Sequence, residues 1–305
     1  MTNLAEKPSP QQKPKWLKAR IPSGARYYQL KRLLKNLSLS TVCEEAHCPN
    51  IGECWSGGTA TIMLMGDTCT RGCRFCNVKT GNPKGWLDER EPEKVAFVLS
   101  RLSLDYIVLT SVDRDDLPDE GSGHFAKTIN LIKKRISGML VETLIPDFRG
   151  QEEFIQKIIL ARPDVLAHNI ETVQRLSPKV RDPRAGYKQS LKVLEFVKKQ
   201  DSSIYTKSSI MLGLGENENE ILNTLKDLRA VDCNILTLGQ YLRPHKRHLP
   251  VDRYVSPKEF ERWKQRSEDM GFIYCASGPL VRSSYRAGEF FMVELIKKQR
   301  AEHGF

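Results

Sequence analysis

Cysteine clustering constrains this chain more than any other feature of its sequence. Six of the eight cysteines lie between residues 43 and 76. They form two trios, one with C-x4-C-x5-C spacing and one with C-x3-C-x2-C spacing: Cys43, Cys48 and Cys54, then Cys69, Cys73 and Cys76. Thiols concentrated in this way indicate either a disulfide framework or a metal centre.

The second trio is one ligand short of a closed tetrahedral site. Structural zinc sites use four ligands, usually from two C-x2-C pairs, and only one such pair, Cys73 and Cys76, is present. An iron–sulfur cubane usually takes four thiolates, so three leave one iron open for a substrate or a labile ligand. Gly72 permits the tight turn that aims three sulfurs at one cubane. Arg71 and Arg74 are expected to place positive charge beside an anionic cluster.

Residues 69–76 resemble the radical S-adenosylmethionine (SAM) superfamily, whose hallmark is C-x3-C-x-aromatic-C, with Phe75 in the aromatic position. The resemblance implies that the open iron chelates the amino and carboxylate groups of SAM. It also implies that an electron passed through the cluster cleaves SAM to methionine and a 5′-deoxyadenosyl radical. That radical abstracts hydrogen from an unactivated carbon.

The composition of the 305-residue chain is typical of a folded protein with one large domain or two small ones, since 40% of its residues are hydrophobic and 28% are charged. The first twenty residues are rich in Lys, Pro and Gln and lack the apolar run of a signal peptide. No run of eighteen apolar residues predicts a membrane span. We therefore predict a cytoplasmic protein whose thiols stay reduced.

The net charge of +11 is compatible with nucleic-acid binding. The basic residues are scattered, however, and no recognised nucleic-acid motif is present. An acidic protein partner or anionic cofactors account for the charge as well, so we expect no nucleic acid.

The N-terminal part of the chain predicts an arm followed by an amphipathic helix. Residues 1–22 contain four prolines and are predicted to be mobile. Residues 25–37 have helical periodicity and no acidic residue. The apolar face of this helix consists of Leu30, Leu33, Leu34 and Leu37. Its candidates for docking on an acidic partner are Lys31, Arg32 and Lys35.

The first cysteine trio lies in residues 38–58, which predict a turn-rich loop suited to wrapping a cluster, because Pro49, Asn50 and Gly52 interrupt it. Trp55 is expected to cover the apolar edge of that cluster. His47 is either a ligand or, as we favour, an adjacent hydrogen-bond donor.

From residue 60 onwards, six predicted strands alternate with six predicted helices. The strands are predicted at residues 60–65, 105–110, 140–146, 165–170, 206–213 and 234–242. The helices are predicted at residues 91–102, 123–136, 152–161, 187–199, 218–230 and 257–270. This alternation predicts an α/β fold with a parallel sheet that right-handed crossovers curl. Six units fall short of eight, so we expect a partial (β/α)6 TIM-type barrel of the radical SAM kind, with its active site at the C-terminal ends of the strands.

Polar residues at these strand ends are candidates for binding SAM. The candidates are Ser111, Asp113, Asn169, Glu171, Gly213 and Gln240. The first two lie where the superfamily receives the SAM amino group. Asn169 and Glu171 alternate onto one face and reach the ribose hydroxyls, or else they cap the next helix. Gly213 would allow close approach of the adenine of SAM, and Gln240 would line the SAM-binding cavity.

A late block at residues 282–287, R-S-S-Y-R-A, places Ser283 between two cations and offers a serine alkoxide to iron. Cys233 and Cys275 have apolar neighbours and predict buried core thiols. The two trios and the R-S-S-Y-x-A block together resemble the lipoyl synthase family, over about residues 40–290.

This resemblance implies two 4Fe–4S clusters. The auxiliary cluster would be held by Cys43, Cys48, Cys54 and Ser283. The radical SAM cluster would be held by Cys69, Cys73 and Cys76. The resemblance also implies a sulfurtransferase that inserts two sulfur atoms, at C6 and C8, into an octanoyl chain on a lysine of a lipoyl carrier domain. Two SAM molecules are cleaved, and the auxiliary cluster is consumed as the sulfur donor.

The implied partners are a 2-oxoacid dehydrogenase E2 domain or a glycine cleavage H protein, a ferredoxin- or flavodoxin-type reductant, and an iron–sulfur carrier that repairs the cluster. We expect a monomer with no membrane association. The predicted units are an N-terminal arm, helix and auxiliary-cluster loop at 1–58, the partial barrel at 59–272, and an extension at 273–305 that carries the serine ligand.

Two alternatives remain at this point. One is another radical SAM sulfur-inserting enzyme, of the biotin synthase or methylthiotransferase kind, against which the late serine block argues. The other is a zinc-dependent RNA-binding module. It predicts colourless protein with zinc, whereas two intact clusters predict brown protein with about eight irons per chain.

Overall fold

The computed structural model describes residues 12–18, 22, 24–56, 61–102, 104–284, 293–296 and 298. Its α-helices are α1 Ala25–Asn36, α2 Val42–Glu45, α3 Ile51–Ser56, α4 Glu91–Leu99, α5 Ser122–Arg135, α6 Glu152–Leu160, α7 Ser177–Val180, α8 Tyr187–Gln200, α9 Glu218–Ala230 and α10 Pro257–Asp269. Its strands are β1 Ser40–Thr41, β2 Thr61–Leu64, β3 Thr68–Cys69, β4 Lys79–Thr80, β5 Tyr106–Ser111, β6 Leu140–Leu144, β7 Val165–Ala167, β8 Tyr205–Leu212, β9 Ile235–Gln240 and β10 Tyr274–Gly278.

Eight strands form one sheet in the order β1-β2-β5-β6-β7-β8-β9-β10. Strand β1 runs antiparallel to β2, and the other neighbours in this sheet are parallel. Strands β3 and β4 form a separate parallel pair around the second cysteine trio. In the described residues no pairing of β2 with β10 closes the sheet into a ring. The predicted α/β class with a parallel, partial-barrel sheet is therefore confirmed.

All six predicted strand–helix units are present, with boundaries that differ by a few residues. The fourth strand is shorter than predicted, because it ends at Ala167. A seventh parallel strand, β10, pairs with β9 and was not predicted. Its sequence, Tyr-Cys-Ala-Ser-Gly, is short and lacks β-branched residues, so it carries little strand signal.

Local sequence explains where the outer helices begin. Helix α9 starts with a capping box in which the Asn217 side chain accepts from the Glu220 N–H and the Glu220 carboxylate accepts from the Asn217 N–H. Helix α10 starts at the N-cap Ser256, followed by Pro257 at the first helical position. Each cap therefore fixes the residue at which the connection from the preceding strand ends and the helix begins.

The core has two outer clusters and one inner cluster. The outer clusters lie between the sheet and its helices and include Ile107, Leu109 and Leu236. The inner cluster uses residues that alternate with these on the same strands, such as Tyr106 and Val108, and it includes Ile296 from the C-terminal helical residues 293–296. The N-terminal ends of the strands are therefore filled with apolar side chains, which leaves the opposite ends for the site.

The N-terminal region corrects one expectation. Residues 38–58 are not simply a turn-rich loop, since they contain β1, α2 and α3, and Thr41 caps α2 by accepting from the Glu44 N–H at 3.3 Å. Most of the predicted mobile arm lies outside the described residues, but Lys15–Leu17 forms a 3-10 turn and Lys13 lines the main cavity. The predicted helix α1 is confirmed, with Leu30 and Leu34 buried.

None of the helices in the described part of the chain has the length and apolar character needed to span a bilayer.

Candidate active site

A cavity of about 520 Å³ lies at the C-terminal ends of the parallel strands. The structure brings all seven predicted cluster ligands to its lining: Cys43, Cys48, Cys54, Cys69, Cys73, Cys76 and Ser283. All eight cysteines are free thiols. The remaining two, Cys233 and Cys275, are buried in an outer core cluster, as predicted.

Backbone amides point at the sulfur atoms of the second trio. The N–H groups of Arg71 and Asp113 each donate to Cys69 Sγ at 3.4 Å. The N–H of Asp182 donates to Cys73 Sγ at 3.3 Å. Donors of this kind stabilise a thiolate and tune an iron–sulfur centre. These backbone N–H groups therefore stabilise the thiolate forms of Cys69 and Cys73.

Arg71 does not supply free positive charge to the site, contrary to the expectation from sequence. Its buried guanidinium forms ion pairs with Asp113 at 3.2 Å, Asp115 at 2.9 Å and Asp147 at 2.7 Å. Burial alone would lower the pKa of Arg71, but the three carboxylates outweigh it and raise that pKa. Arg71 therefore anchors the cysteine loop to the ends of β5 and β6. Arg74 is exposed and donates to the Lys179 carbonyl at 3.3 Å.

A second anchor comes from the segment between α7 and α8. Asp182 Oδ2 accepts from the Gly72 N–H at 2.8 Å, and Arg184 donates to the Thr70 carbonyl at 2.8 Å. The Arg184 guanidinium lowers the pKa of Asp182 well below its ordinary value. The loop is thus held from two sides, and its three thiols keep fixed positions.

Burial disfavours the ionised form of these thiols. Burial raises the pKa of Cys76 to about 11 and of Cys73 to about 12. In the first trio, burial raises the pKa of Cys43 to about 11. A nearby metal charge offsets this penalty, and soft sulfur donors suit iron–sulfur clusters. The donor set therefore fits the clusters that the sequence implies.

Among the described residues, no three His, Cys, Asp or Glu side chains converge on a single ion. A cubane does not require such convergence, because each of its thiolates binds a separate iron.

The first trio is built on α2 and α3 and is joined to the late block. Cys43 lies in α2, Cys54 lies in α3, and Trp55 is fully buried against Tyr27 with ring centroids 5.3 Å apart. Asn50 Nδ2 donates to the Leu280 carbonyl at 2.6 Å. This bond brings the segment that carries Ser283 to the trio across the length of the chain.

His47, predicted to be a ligand or an adjacent hydrogen-bond donor, is exposed and lines the cavity. Its Nδ1 lies 3.0 Å from Asn77 Nδ2. Asn77 follows Cys76 directly, so this contact links the two cysteine trios.

The late block reaches the cavity where two strands end. Gly239, near the end of β9, lies so close to this block that an added Cβ would stand 2.2 Å from the Val281 carbonyl oxygen. Arg282 donates to that same carbonyl at 2.7 Å. Burial lowers the pKa of Arg282, and the Cys48 thiol faces it. Residues 285–287 of the block lie outside the described residues.

Five of the six candidate SAM contacts line the cavity: Ser111, Asp113, Asn169, Glu171 and Gln240. Two of them carry buried oxygen atoms without a hydrogen-bond partner among the described residues, namely Ser111 Oγ and Asn169 Oδ1. Buried polar atoms normally have partners, so these two are available to a bound molecule.

Asn169 Nδ2 donates to Glu171 Oε1 at 3.1 Å, and burial raises the pKa of Glu171. The alternative role of this pair as a helix cap is wrong, since α7 begins later and has no side-chain cap. Asp113 lies between Arg71 and the Cys69 thiol, and burial raises its pKa to about 6.

The other two candidates, Gln240 and Gly213, differ in their relation to the cavity. The Gln240 amide is engaged by backbone: it donates to the carbonyls of Leu212, Tyr241 and Arg253 and accepts from the Val255 N–H. Gly213 does not line the cavity. It has a φ of +98°, and an added Cβ would lie 2.3 Å from Gln240 Nε2, so local packing accounts for this glycine.

The chain is similar to known proteins over nearly its whole length. Residues 63–228 match the family profile described as the radical SAM superfamily, and residues 2–48 match that of the N-terminal domain of lipoyl synthase. The lipoyl synthase of Thermus thermophilus is 57% identical over 93% of this chain and 88% of its own. That of Halobacterium salinarum is 57% identical over 96% of this chain and 95% of its own. The mitochondrial lipoyl synthase of Branchiostoma floridae is 58% identical, covering 95% of this chain and 78% of its own.

The chain belongs to the lipoyl synthase family. Lipoyl synthases are radical SAM enzymes that use SAM and 4Fe–4S clusters, insert sulfur and act on lipoyl carrier proteins. The biotin synthase, methylthiotransferase and RNA-binding alternatives are not favoured.

Two solved structures with the same fold are less similar in sequence than these lipoyl synthases. The FeFe-hydrogenase maturase HydG from Carboxydothermus hydrogenoformans superposes with a TM-score of 0.53 at 10% identity, covering 89% of this chain and 78% of its own. SuiB from Streptococcus suis bound to S-adenosylmethionine gives a TM-score of 0.52 at 9% identity, with 80% of this chain and 57% of its own covered. Both likenesses concern the fold alone.

Sequence reasoning missed several residues of this lipoyl synthase site. Asp147, Asp182 and Arg184 anchor the cysteine loop, and Gly239 admits the late block. The available signal was weak: polar residues after predicted strand 140–146, and the charged run Arg-Asp-Pro-Arg at residues 181–184.

Proposed function

We propose that this chain converts a protein-bound octanoyl-lysine to lipoyl-lysine by inserting two sulfur atoms, at C6 and C8, with cleavage of two SAM molecules. The reaction belongs to lipoate biosynthesis and protein lipoylation. One observation carries the proposal: both cysteine trios and Ser283 line a single cavity at the C-terminal edge of the sheet. A site for starting the radical and a site for supplying sulfur would thus share one substrate space.

We propose two sets of cluster ligands. Cys69, Cys73 and Cys76 hold the radical SAM 4Fe–4S cluster, and SAM completes its coordination. The auxiliary 4Fe–4S cluster is held by Cys43, Cys48, Cys54 and Ser283. When bound, the two clusters supply the electron for SAM cleavage and the sulfur for insertion.

The other cavity residues bind and orient SAM in this proposal. Ser111 Oγ and Asn169 Oδ1 offer unused hydrogen-bonding capacity beside the second trio. Asp113 is held by Arg71 and takes the SAM amino group, and Glu171, oriented by Asn169, accepts from a ribose hydroxyl. Gln240 shapes the wall near the end of β9 through its backbone contacts.

The division of the chain into units at 1–58, 59–272 and 273–305 is part of this proposal, because the first and last units each bring auxiliary ligands to the barrel. The last unit is not a separate body, since β10 continues the sheet.

The direct test is anaerobic iron and sulfide analysis followed by turnover. We expect about eight irons per chain. Incubation with SAM, dithionite and an octanoyl-lysine peptide should yield a product in which two sulfur atoms replace two hydrogens, measured by mass spectrometry. A chain with a single cluster, or a peptide of unaltered mass, would contradict the proposal.

We further propose that the protein partners are acidic lipoyl carrier domains, of the E2 or H-protein type. A ferredoxin- or flavodoxin-type reductant and an iron–sulfur carrier for repair complete the set. The chain is proposed to act as a monomer in the cytoplasm. The net charge of +11 supports acidic partners, because complementary charge accelerates association.

Docking through α1 is testable by charge reversal. Arg32 and Lys35 are exposed on this helix. The double variant Arg32→Glu/Lys35→Glu should raise KM for an octanoylated carrier domain about tenfold at low ionic strength, since rim charges mainly change association rates. The KM for an octanoyl peptide should stay unchanged. The control Lys192→Glu/Lys226→Glu alters exposed lysines on α8 and α9 and should leave both values unchanged. Equal KM values for both variants with the carrier domain would refute docking at α1.

A further inference from the structure

The cysteine loop has an outer side as well as a cavity side. An open groove of about 640 Å³ lies there and adjoins the main cavity. Its lining includes Cys73 and Cys76, which also line the main cavity. These two cysteine residues therefore border both the main cavity and this groove.

The loop after β9 contributes Arg247 and His248 to the groove. The loop after β9 lies against the cysteine loop, with His248 Nε2 at 2.9 Å from the Cys76 carbonyl and the Leu249 N–H donating to the Arg74 carbonyl at 3.3 Å. These contacts fix the backbone of the loop from outside. Residues Cys73 and Cys76 nevertheless contribute to the groove surface.

Exposed cations rim this groove. Arg74, Lys79 and Arg247 belong to its lining and are exposed. In the part of the chain that the structure describes, none of the three lies within ion-pair distance of a carboxylate. The lining also holds two carboxylates: Glu44 faces Lys31 at 3.9 Å, and Glu45 has Lys79 among its charged neighbours. The three cations therefore exceed the two carboxylates by one charge.

We propose that this groove is where a small acidic one-electron carrier protein docks and reduces the centre held by the second cysteine trio. The inference rests on the proposed function. The main cavity must hold SAM and the octanoyl chain during turnover, whereas the groove reaches two residues of the same cysteine trio from solvent. Electron-transfer encounters are small and transient, and complementary charge steers them, so a short cationic rim is sufficient. In each encounter the carrier loses one electron and the iron–sulfur centre gains one.

The test compares two electron sources. The double variant Lys79→Glu/Arg247→Glu reverses two rim charges outside the cysteine trio. At low ionic strength its Kd for flavodoxin, measured by isothermal titration calorimetry, should rise about tenfold, and its rate of SAM cleavage with reduced flavodoxin should fall about tenfold. Added salt should lower the rate of the unaltered chain toward that of the variant, because salt screens the steering. With dithionite, a small anion that does not require the docking surface, both chains should cleave SAM at the same saturating rate.

The matched control is again Lys192→Glu/Lys226→Glu, which has the same change in net charge at exposed positions on α8 and α9. It should keep its rate with flavodoxin. An equal loss in this control, or no loss in Lys79→Glu/Arg247→Glu, would overturn the proposal. If Lys79→Glu/Arg247→Glu is defective with dithionite, but only when the substrate is a carrier domain, the groove binds the lipoyl carrier instead. That result would also overturn the proposal. Failure of the proposed function is distinct, because the unaltered chain would then not modify an octanoyl peptide with dithionite.

Discussion

Ser283 lines the cavity beside six thiols and brings a hard oxygen donor to a site whose other donors are soft sulfur. Soft ligands suit iron–sulfur clusters better than oxygen does. In the proposed function this mismatch makes Ser283 the position from which the auxiliary cluster sheds iron when its sulfur is removed. Under this proposal, the oxygen donor of Ser283 distinguishes a cluster that gives up sulfur from a permanent cofactor.

The variant Ser283→Cys tests this role. A thiolate would hold iron more firmly, so iron content should stay at about eight per chain while sulfur insertion stops. Iron analysis and mass spectrometry of the octanoyl peptide measure the two quantities. Ser284→Cys, a neighbour that also lines the cavity, serves as the control and should retain turnover. Full turnover by Ser283→Cys would disprove the weak-ligand hypothesis.

His168 gives a residue-scale prediction for stability. Its ring contacts the Ile145 carbonyl through Nδ1 and the Ser190 hydroxyl through Nε2. Burial and the Arg181 charge lower the pKa of His168 to about 4 from an ordinary value of 6.5, while Asp147 opposes and Arg71 reinforces the shift. The unfolded chain therefore binds the additional proton first as pH falls.

The resulting stabilisation is complete above pH 6.5 and is lost between pH 6.5 and about 4. The loss is on the order of 3 kcal/mol, given 1.4 kcal/mol per pKa unit. Urea unfolding of the unaltered chain and of His168→Asn across this range measures it. The variant should show a shallower pH dependence, and parallel curves for the two chains would contradict the assignment.

At the scale of residues, sequence reasoning predicted the thiols and missed their supports. Cysteine spacing within residues 43–76 is a local signal that can be read directly. The contact of Asp182 with Gly72 joins residues 110 positions apart, and the contact of Asn50 with Leu280 joins residues 230 apart. No local pattern encodes such pairs, so only the fold shows them.

At the scale of elements, the strand–helix alternation was predictable because buried parallel strands form continuous apolar runs between amphipathic helices. Helices α2 and α3 were not predictable, because their segments have weak helical signal and are stabilised by tertiary contacts such as that of Tyr27 with Trp55. Strand β10 was missed for the same reason, because its pairing with β9 outweighs its low propensity.

The end of β9 is where an element-scale prediction can be made. Gly239→Ala would place a Cβ 2.2 Å from the Val281 carbonyl oxygen and displace the segment that carries Ser283. We expect iron content to fall toward about four per chain, with the radical cluster retained. Gly186→Ala is the control, since its added Cβ meets only Gln189 at 3.6 Å. Full iron loading of Gly239→Ala would show that the close approach is not needed for the auxiliary site.

At the scale of the whole molecule, the inner face of the sheet is apolar at one end and polar at the other. A buried ion pair lies on this face, with Lys207 Nζ at 2.7 Å from Glu142 Oε1 and the Tyr106 hydroxyl donating to Glu142 Oε2 at 2.5 Å. The inner apolar cluster packs at the same level as this pair, with Tyr106 common to both. Apolar side chains and a buried ion pair therefore fill the inner face of the sheet at the end opposite the cavity.

Breaking that pair should be costly. Glu142→Leu would leave Lys207 buried without a partner and should destabilise the fold by about 3–5 kcal/mol. The double variant Glu142→Leu/Lys207→Met should recover most of this loss, because two apolar side chains replace two buried charges. Anaerobic urea unfolding of both variants measures the difference. A double variant as unstable as the single one would show that the ion pair itself stabilises the fold.

The bond between Asn50 and the Leu280 carbonyl has a consequence for how the enzyme is made. Synthesis on the ribosome runs from the N-terminus, so the loop at residues 69–76 and its anchors up to Arg184 are complete while the segment with Ser283 is still untranslated. In the proposed function, the ligands of the SAM-cleaving centre are therefore all synthesised before the ligand set of the sulfur-donating centre is complete. The centre that the proposed reaction consumes is thus also the one whose last ligand leaves the ribosome late.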